Sequence, residues 1–197
     1  MRLTEGSSNA LKDEDLQQVI AHVQKTSAEP LLHIAMLQVS FRVGLRAMEI
    51  AGLKLSDLMD TQGQINQKVT LRKKTTKGSR GGVAYFTHPE VRAALEQYIV
   101  QVRSKKSTDH DNVFISAKLT PFHPSSMSRL FGKLYRDAGL EGYTSHAGRK
   151  GLARTLNSKN VSTYNIQNIL RHANIETTVK HYLSVDEDVL ANIVGNV

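Results

Sequence analysis

The chain has 197 residues, enough for one domain with a sizeable core or for two small ones, and its formal net charge of +8 favours a polyanionic partner. A hydrophobic fraction of 40% with 13 glycines is ordinary for a globular protein, while zero cysteines exclude disulfides and cysteine-ligated zinc and suit a reducing cytosol. No apolar run approaches about 18 residues, so no membrane span is expected, and the opening Met1-Arg-Leu-Thr-Glu-Gly lacks the apolar stretch of a signal peptide.

Residues 1–10 read as a loose leader. A first helix is predicted over about 13–26, with acids in its first turn and Leu16, Val19, Ile20 and Val23 on one face. Pro30 suits the first position of a second helix, about 30–43, apolar on several sides and stopped by Gly44. A short helix follows over about 46–52. The pattern Ile65-x-x-x-Val69-x-Leu71 suggests a strand over 64–71, and Val83-Ala-Tyr-Phe86 its return partner across the loop Lys73–Gly82. Pro89 opens a helix to about Arg103, with Val91, Leu95, Tyr98, Ile99 and Val102 inward. Val113-Phe-Ile115 is a short apolar run. Helices are predicted at about 124–138, 144–158, 162–171 and 175–183. The tail, 184–197, carries an apolar stripe at helical spacing. The fold class is α+β, mostly α-helical, with a small antiparallel sheet at one edge.

Charge is unevenly placed. Residues 68–106 hold ten Lys and Arg against Glu90 and Glu96, and acids gather towards the ends, at 13–15 and 186–188. Within Thr144-Ser-His-Ala-Gly-Arg-Lys-Gly-Leu-Ala-Arg-Thr-Leu156, His146 and Arg149 stand three residues apart and share a helix face. Thr144 or Ser145 is expected as the N-cap, which puts both side chains in a first turn that favours an anion. Arg46 stands beside another helix boundary. It can pair with Glu49 on its own helix, and that pairing coexists with a functional role if Glu49 orients it. The hairpin Lys73-Lys-Thr-Thr-Lys-Gly-Ser-Arg-Gly-Gly82 is centred on Lys77, which by itself reads as one solvated cation among several. His172 alone suits a cap or core position, and Tyr182 alone a packing position on an amphipathic helix. The histidines lack zinc spacing, and the glycines of the hairpin lack the Gly-Lys-Ser/Thr of a phosphate loop.

In this order and at these intervals, Arg46, Lys77, His146-x-x-Arg149, His172 and Tyr182 resemble the catalytic domain of the tyrosine recombinases, the phage integrase family. The resemblance runs from about residue 10 to the C-terminus. It implies a mostly helical catalytic domain over 1–183, and a tail helix over 184–197 that either is exchanged between protomers or folds back on its own domain. It also implies that the helical DNA-clamping domain common in the family is absent ahead of it. Lys150 stands where a histidine is common, and Arg171 where a glycine usually precedes the second histidine.

The chemistry fits the residue types. A DNA phosphodiester needs its non-bridging oxygens neutralised, a nucleophile supplied and its leaving oxygen protonated. Arg46 and Arg149 can clamp the non-bridging oxygens with donors that stay charged, and His172 can add another. By the resemblance Tyr182 is the nucleophile, with His146 as a base, and Lys77 protonates the leaving 5′-oxygen. The linkage formed, a 3′-phosphotyrosine, conserves the bond energy, so neither ATP nor a metal or other cofactor is expected. Lys73, Lys74, Arg80, Lys150 and Arg171 are expected to contact DNA, with Glu49 in support. The expected activity is site-specific DNA recombination or integration. A type IB topoisomerase-like relaxing enzyme and a non-catalytic DNA-binding regulator are the alternatives. Partners implied are double-stranded DNA and, on DNA, a homotetramer of a chain that is monomeric when free. The implied location is the cytoplasm, nucleoid-associated, in a bacterium or phage host.

Overall fold

A computed structural model describes residues 8–72 and 81–172. The leader enters beside the functional segment rather than away from it. Asn9 N–H donates to Gly142 O and Leu11 N–H to Ala147 O, and Leu11 is buried. Helix α1 (Asp13–Thr26) then forms, with its acidic first turn and with Leu16, Val19, Ile20 and Val23 in the core as the spacing requires.

Helix α2 (Pro30–Gln38) starts on Pro30 and runs into a π-helical segment, Val39–Val43. The combined length is that expected for one helix, but the widened last turn is not legible in the residue pattern. It ends on Gly44 at φ +68°, where a Cβ would also lie 2.8 Å from Leu152 Cδ2. Glycine meets both demands at once. Short helices α3 (Ala47–Gly52) and α4 (Leu55–Leu58) follow.

Strand β1 (Lys68–Leu71) is shorter than the expected 64–71. The reason is local. Asp60 Oδ1 accepts from the N–H groups of Gln62 and Gln64, and Asn66 N–H donates to Leu58 O. Residues 62–66 therefore turn back on α4 instead of entering a ladder. Ile65 still buries its side chain, in line with Val69 and Leu71. Strand β2 (Gly82–Tyr85) pairs antiparallel, Lys68 opposite Tyr85 and Leu71 opposite Gly82. Val69, Leu71 and Ala84 face the core, and Val83 and Tyr85 face out.

Helix α5 (Pro89–Gln101) stops before Arg103, and a 3₁₀ turn, Arg103–Lys105, follows. Arg103 is buried, with Nε donating to Asn112 O and Nη2 to His110 O, so its turn is set by the segment it caps. Helix α6 (Pro124–Asp137) begins after His123, whose ring nitrogen Nδ1 accepts from Ser125 N–H. Helices α7 (Ala147–Ser158) and α8 (Thr163–Leu170) close the described chain.

Helix α7 lies against the π-helical segment at backbone distance. A Cβ on Gly151 would stand 2.1 Å from Leu11 O and 2.5 Å from Phe41 Cε2. Only glycine admits this approach, and the approach is what brings Arg149 to the end of the π segment. A second, smaller apolar cluster, Ala153, Ile166 and Leu170, fastens α8 to α7. The predicted helix at 175–183 and the tail lie outside the described residues.

Candidate active site

The N-terminus of α7 differs from expectation by one turn of logic. Neither Thr144 nor Ser145 is the cap. His146 occupies the cap position, and Thr144 closes the preceding turn, its carbonyl accepting from Ala147 N–H and its hydroxyl oxygen from His146 N–H. Arg149 consequently sits at the third helical position and His146 just outside the helix.

Arg149 has no exposed surface. Its Nη1 donates to Gly44 O and its Nη2 to Leu170 O. One guanidinium thus bridges the end of the π segment and the end of α8. The planar fork of arginine suits such a two-point contact, and a lysine cannot reproduce it.

Arg46 precedes α3. Its backbone N–H donates to Glu49 Oε2 at 2.8 Å and its Nη1 to Glu49 Oε1 at 3.0 Å. The pairing with Glu49 is therefore present in the fold: the carboxylate is fully buried, while Arg46 retains 15% side-chain exposure. Arg46 also lines a cleft of about 300 Å³ together with Ser125, Ser128, Ser145 and His146. The cleft joins the start of α3, the start of α6 and the turn before α7.

His172 follows Arg171, which takes the left-handed conformation at φ 55°. His172 N–H donates to Gln167 O and Arg171 N–H to Asn168 O, the paired bonds of a Schellman cap. A non-glycine residue in this conformation costs about 1 kcal/mol. The Arg171 side chain turns inward. Nη2 lies 3.1 Å from Glu49 Oε2 and 3.2 Å from Gly44 O, and Nη1 donates to Ile169 O.

The electrostatics converge on Glu49. Burial pushes its carboxyl up, but Arg171, Arg149 and Arg46, with the Arg46 backbone N–H, outweigh burial and hold it below the usual carboxylate range. Burial draws the Arg171 guanidinium down from its ordinary value, and Glu49 opposes that shift.

Two expected DNA contacts take other positions. Lys150 is buried and its ammonium donates to Ser8 O at 2.9 Å, while Arg171 is committed to Glu49 and Gly44. Neither presents its charge to solvent. Lys73, Lys74, Lys77, Arg80 and Tyr182 lie outside the described residues. Sequence reasoning missed the Gly44 carbonyl, which both Arg149 and Arg171 use. The helix-stop glycine was visible, but a backbone acceptor leaves no side-chain signal. Among the described residues, no group of three or more His, Asp or Glu side chains is placed to hold a metal ion, and no helix is long and apolar enough to cross a membrane.

Residues 9–188 match the model of the phage integrase family, and the chain belongs to that family. Among curated proteins it is similar to the tyrosine recombinase XerD of Halalkalibacterium halodurans, 24% identical over 90% of this chain and 58% of the relative. It is also similar to the tyrosine recombinase XerC of Brucella suis, 28% identical over 93% of this chain and 56% of the relative, and to transposase A from transposon Tn554 of Staphylococcus aureus, 24% identical over 98% and 53%. The chain thus spans a little over half the length of these relatives. The fold is that of the XerA recombinase crystal structure (TM-score 0.77, 24% identity, 95% of this chain and 64% of that one). It is likewise that of XerH bound to palindromic difH substrate (TM-score 0.75, 20% identity, 94% and 52%). The architecture, mostly helical with a two-stranded antiparallel sheet, is the one expected from the residues.

Proposed function

We propose that this chain is the catalytic domain of a site-specific DNA recombinase that cleaves and rejoins strands through a 3′-phosphotyrosine. The observation that carries this is the arrangement around Glu49. Arg46, Arg149 and Arg171, from three distant segments, surround one buried carboxylate, and Arg46 opens with His146 onto a shared cleft. Glu49 holds Arg46 at that cleft, so this donor is already in place when charge develops on a phosphodiester.

In the proposed reaction the Tyr182 oxygen attacks the scissile phosphorus, and His146 accepts the phenol proton. The bond from phosphorus to the 5′-oxygen breaks, and Lys77 gives that oxygen its proton. A 5′-hydroxyl of a second strand then attacks the phosphotyrosine and gives its proton to Lys77, the bond to Tyr182 breaks, His146 returns the proton to the phenol oxygen, and the strand is rejoined. Arg46, Arg149 and His172 donate to the non-bridging oxygens in both steps, which requires the Arg149 guanidinium to turn from Gly44 O and Leu170 O towards the phosphate. Three of the other five tyrosines suit this role less well. Tyr98 and Tyr135 are core residues, burial pushing the Tyr98 phenol up to about 12, and Tyr143 donates to Asp15.

Duplex DNA is the proposed substrate, met by the basic hairpin at 73–80. Assembly as a homotetramer on DNA, with the apolar tail 184–197 docking on a neighbouring protomer, completes the reading. The family match and the recombinase relatives support strand exchange over simple relaxation. A duplex nicked so that the cleaved fragment diffuses away tests the reading: a covalent protein–DNA band is expected. Relaxation of supercoils by the monomer without strand exchange would favour a topoisomerase instead.

A further inference from the structure

Arg171 has no role in the reaction as written, yet it touches a partner of each clamp arginine. Its Nη2 reaches Glu49 Oε2, and the same carboxylate accepts Arg46 N–H through Oε2 and Arg46 Nη1 through Oε1. That Nη2 also reaches Gly44 O, the carbonyl to which Arg149 donates. The backbone of Arg171 leads directly into His172. Its stem lies under the start of β2, where a Cβ on Gly82 would stand 2.7 Å from Arg171 Cδ. One side chain therefore meets the supports of Arg46 and Arg149 and the foot of the hairpin.

The conformation sharpens the point. A left-handed cap position is one that glycine takes without strain. Arginine here is strained, and its side chain is buried rather than solvated. A residue held this way acts through what its side chain reaches.

We infer that Arg171 is a positioning residue for strand cleavage: by engaging one oxygen of Glu49 and the Gly44 carbonyl, it fixes Arg46 and Arg149 relative to each other and to the hairpin foot. This rests on the cleavage reading above. The role needs no contact between Arg171 and DNA. Among the described residues, the charged groups facing Glu49 are Arg46 just ahead of its own helix, Arg149 from α7 and Arg171 at the end of α8. Removing Arg171 takes away one of these cations, so Glu49 should protonate at a higher pH and release Arg46 there.

The test uses the 197-residue chain and four forms: unsubstituted, Arg171→Gly, Arg171→Lys and Glu49→Gln, plus the double variant Arg171→Gly/Glu49→Gln. Adduct formation on a nicked duplex is followed at saturating DNA across mildly acidic to neutral pH, alongside DNA affinity and the thermal midpoint. Arg171→Gly should form adduct about 10- to 100-fold more slowly, with affinity nearly unchanged and the acid limb of the rate profile moved to higher pH. Arg171→Lys should recover part of the rate. The double variant should lose less than the two separate losses combined, because Glu49 is one of the two acceptors through which Arg171 acts.

A wild-type rate in Arg171→Gly would overturn the role. So would a loss that falls evenly across pH in step with the thermal midpoint, a loss confined to DNA affinity, or full additivity with Glu49→Gln. If Arg171→Gly does not fold, Arg171→Lys carries the comparison, since its shorter side chain ends short of the Nη2 position that meets Glu49 Oε2 and Gly44 O and gives up the Nη1 donation to Ile169 O: an unshifted acid limb at wild-type rate would then overturn it. Absence of an adduct with the unsubstituted chain would overturn the cleavage reading and this role together. An adduct with the unsubstituted chain and an unaffected Arg171→Gly would overturn this role alone.

Discussion

Arg171 and Glu49, 122 residues apart in sequence, meet with Nη2 3.1 Å from Oε2, and the carboxylate has no exposed surface. The pair ties the end of α8 to α3, so the two segments that carry Arg46 and His172 are held by one buried contact. A buried pair of this kind adds little net stability over a well-packed apolar pair, but removing one partner leaves the other charge uncompensated.

Glu49→Gln should therefore destabilise the fold by about 3 kcal/mol, measured by urea unfolding near neutral pH. The pH dependence has a definite sign. The folded pKa of Glu49 lies below its unfolded value of 4.5. Between those values the unfolded chain binds the extra proton, so stability rises with pH. The contribution is fully present above the unfolded value and is lost as pH falls through the folded one. The gap between the unsubstituted chain and Glu49→Gln should close in acid. A gap that stays constant down to the acid limit contradicts a charged Glu49 in the folded state.

Gly151 and Gly63 separate crowding from backbone strain. Gly151→Ala pushes a Cβ against Leu11 O and Phe41, and should cost about 3 kcal/mol by overpacking. Gly63 has φ +77° with nothing within 4 Å of a Cβ, so Gly63→Ala should cost about 1 kcal/mol, from conformation alone. Equal thermal shifts in the two variants would mean that α7 does not approach the leader this closely.

How much was legible in the residues follows from what each element depends on. Helix α1, the prolines that open α2 and α5, and the stop at Gly44 are local signals, and each appears where the pattern put it. The strand start at residue 64 was misread, because Asp60 organises a turn that apolar spacing does not reveal. The cap of α7 was assigned to Thr144 or Ser145 by residue type, whereas packing of Gly148 and Gly151 against the π segment and leader sets where the helix starts. Among the site residues, the Arg46–Glu49 pair was readable as an i, i+3 contact. The inward turn of Lys150 and Arg171 was not, since a cation on a helix gives no sign of which buried carbonyl it will meet.

Those inward turns give a salt-dependence test. DNA affinity should fall steeply with salt through counterion release. Replacing Lys74 by Ala should lower the slope of log K against log salt by about one, as expected when a phosphate contact is lost. Lys150→Ala should leave the slope unchanged, because its ammonium donates to Ser8 O. Equal slopes for all three proteins would remove the hairpin from the DNA contact set, and a reduced slope in Lys150→Ala alone would reassign the contact to α7.

Arg149→Lys keeps the charge but gives up the two-point bridge between Gly44 O and Leu170 O. Cleavage should fall by about 10²–10³, the loss typical of one fixed charge-stabilising donor. Thermal stability should also drop, since a buried carbonyl left without its donor costs about 1–3 kcal/mol. A variant with normal stability and normal cleavage would show that Arg149 serves neither the fold nor the phosphate.

Covalent trapping goes straight to the chemistry. The 197-residue chain and its Tyr182→Phe variant are each incubated with a nicked duplex whose cleaved fragment is lost, then denatured and resolved by mass. The unsubstituted chain should carry the DNA strand covalently, and Tyr182→Phe should bind the duplex with unchanged affinity and carry none. An adduct of equal yield in Tyr182→Phe, or no adduct from the unsubstituted chain, would contradict cleavage through Tyr182.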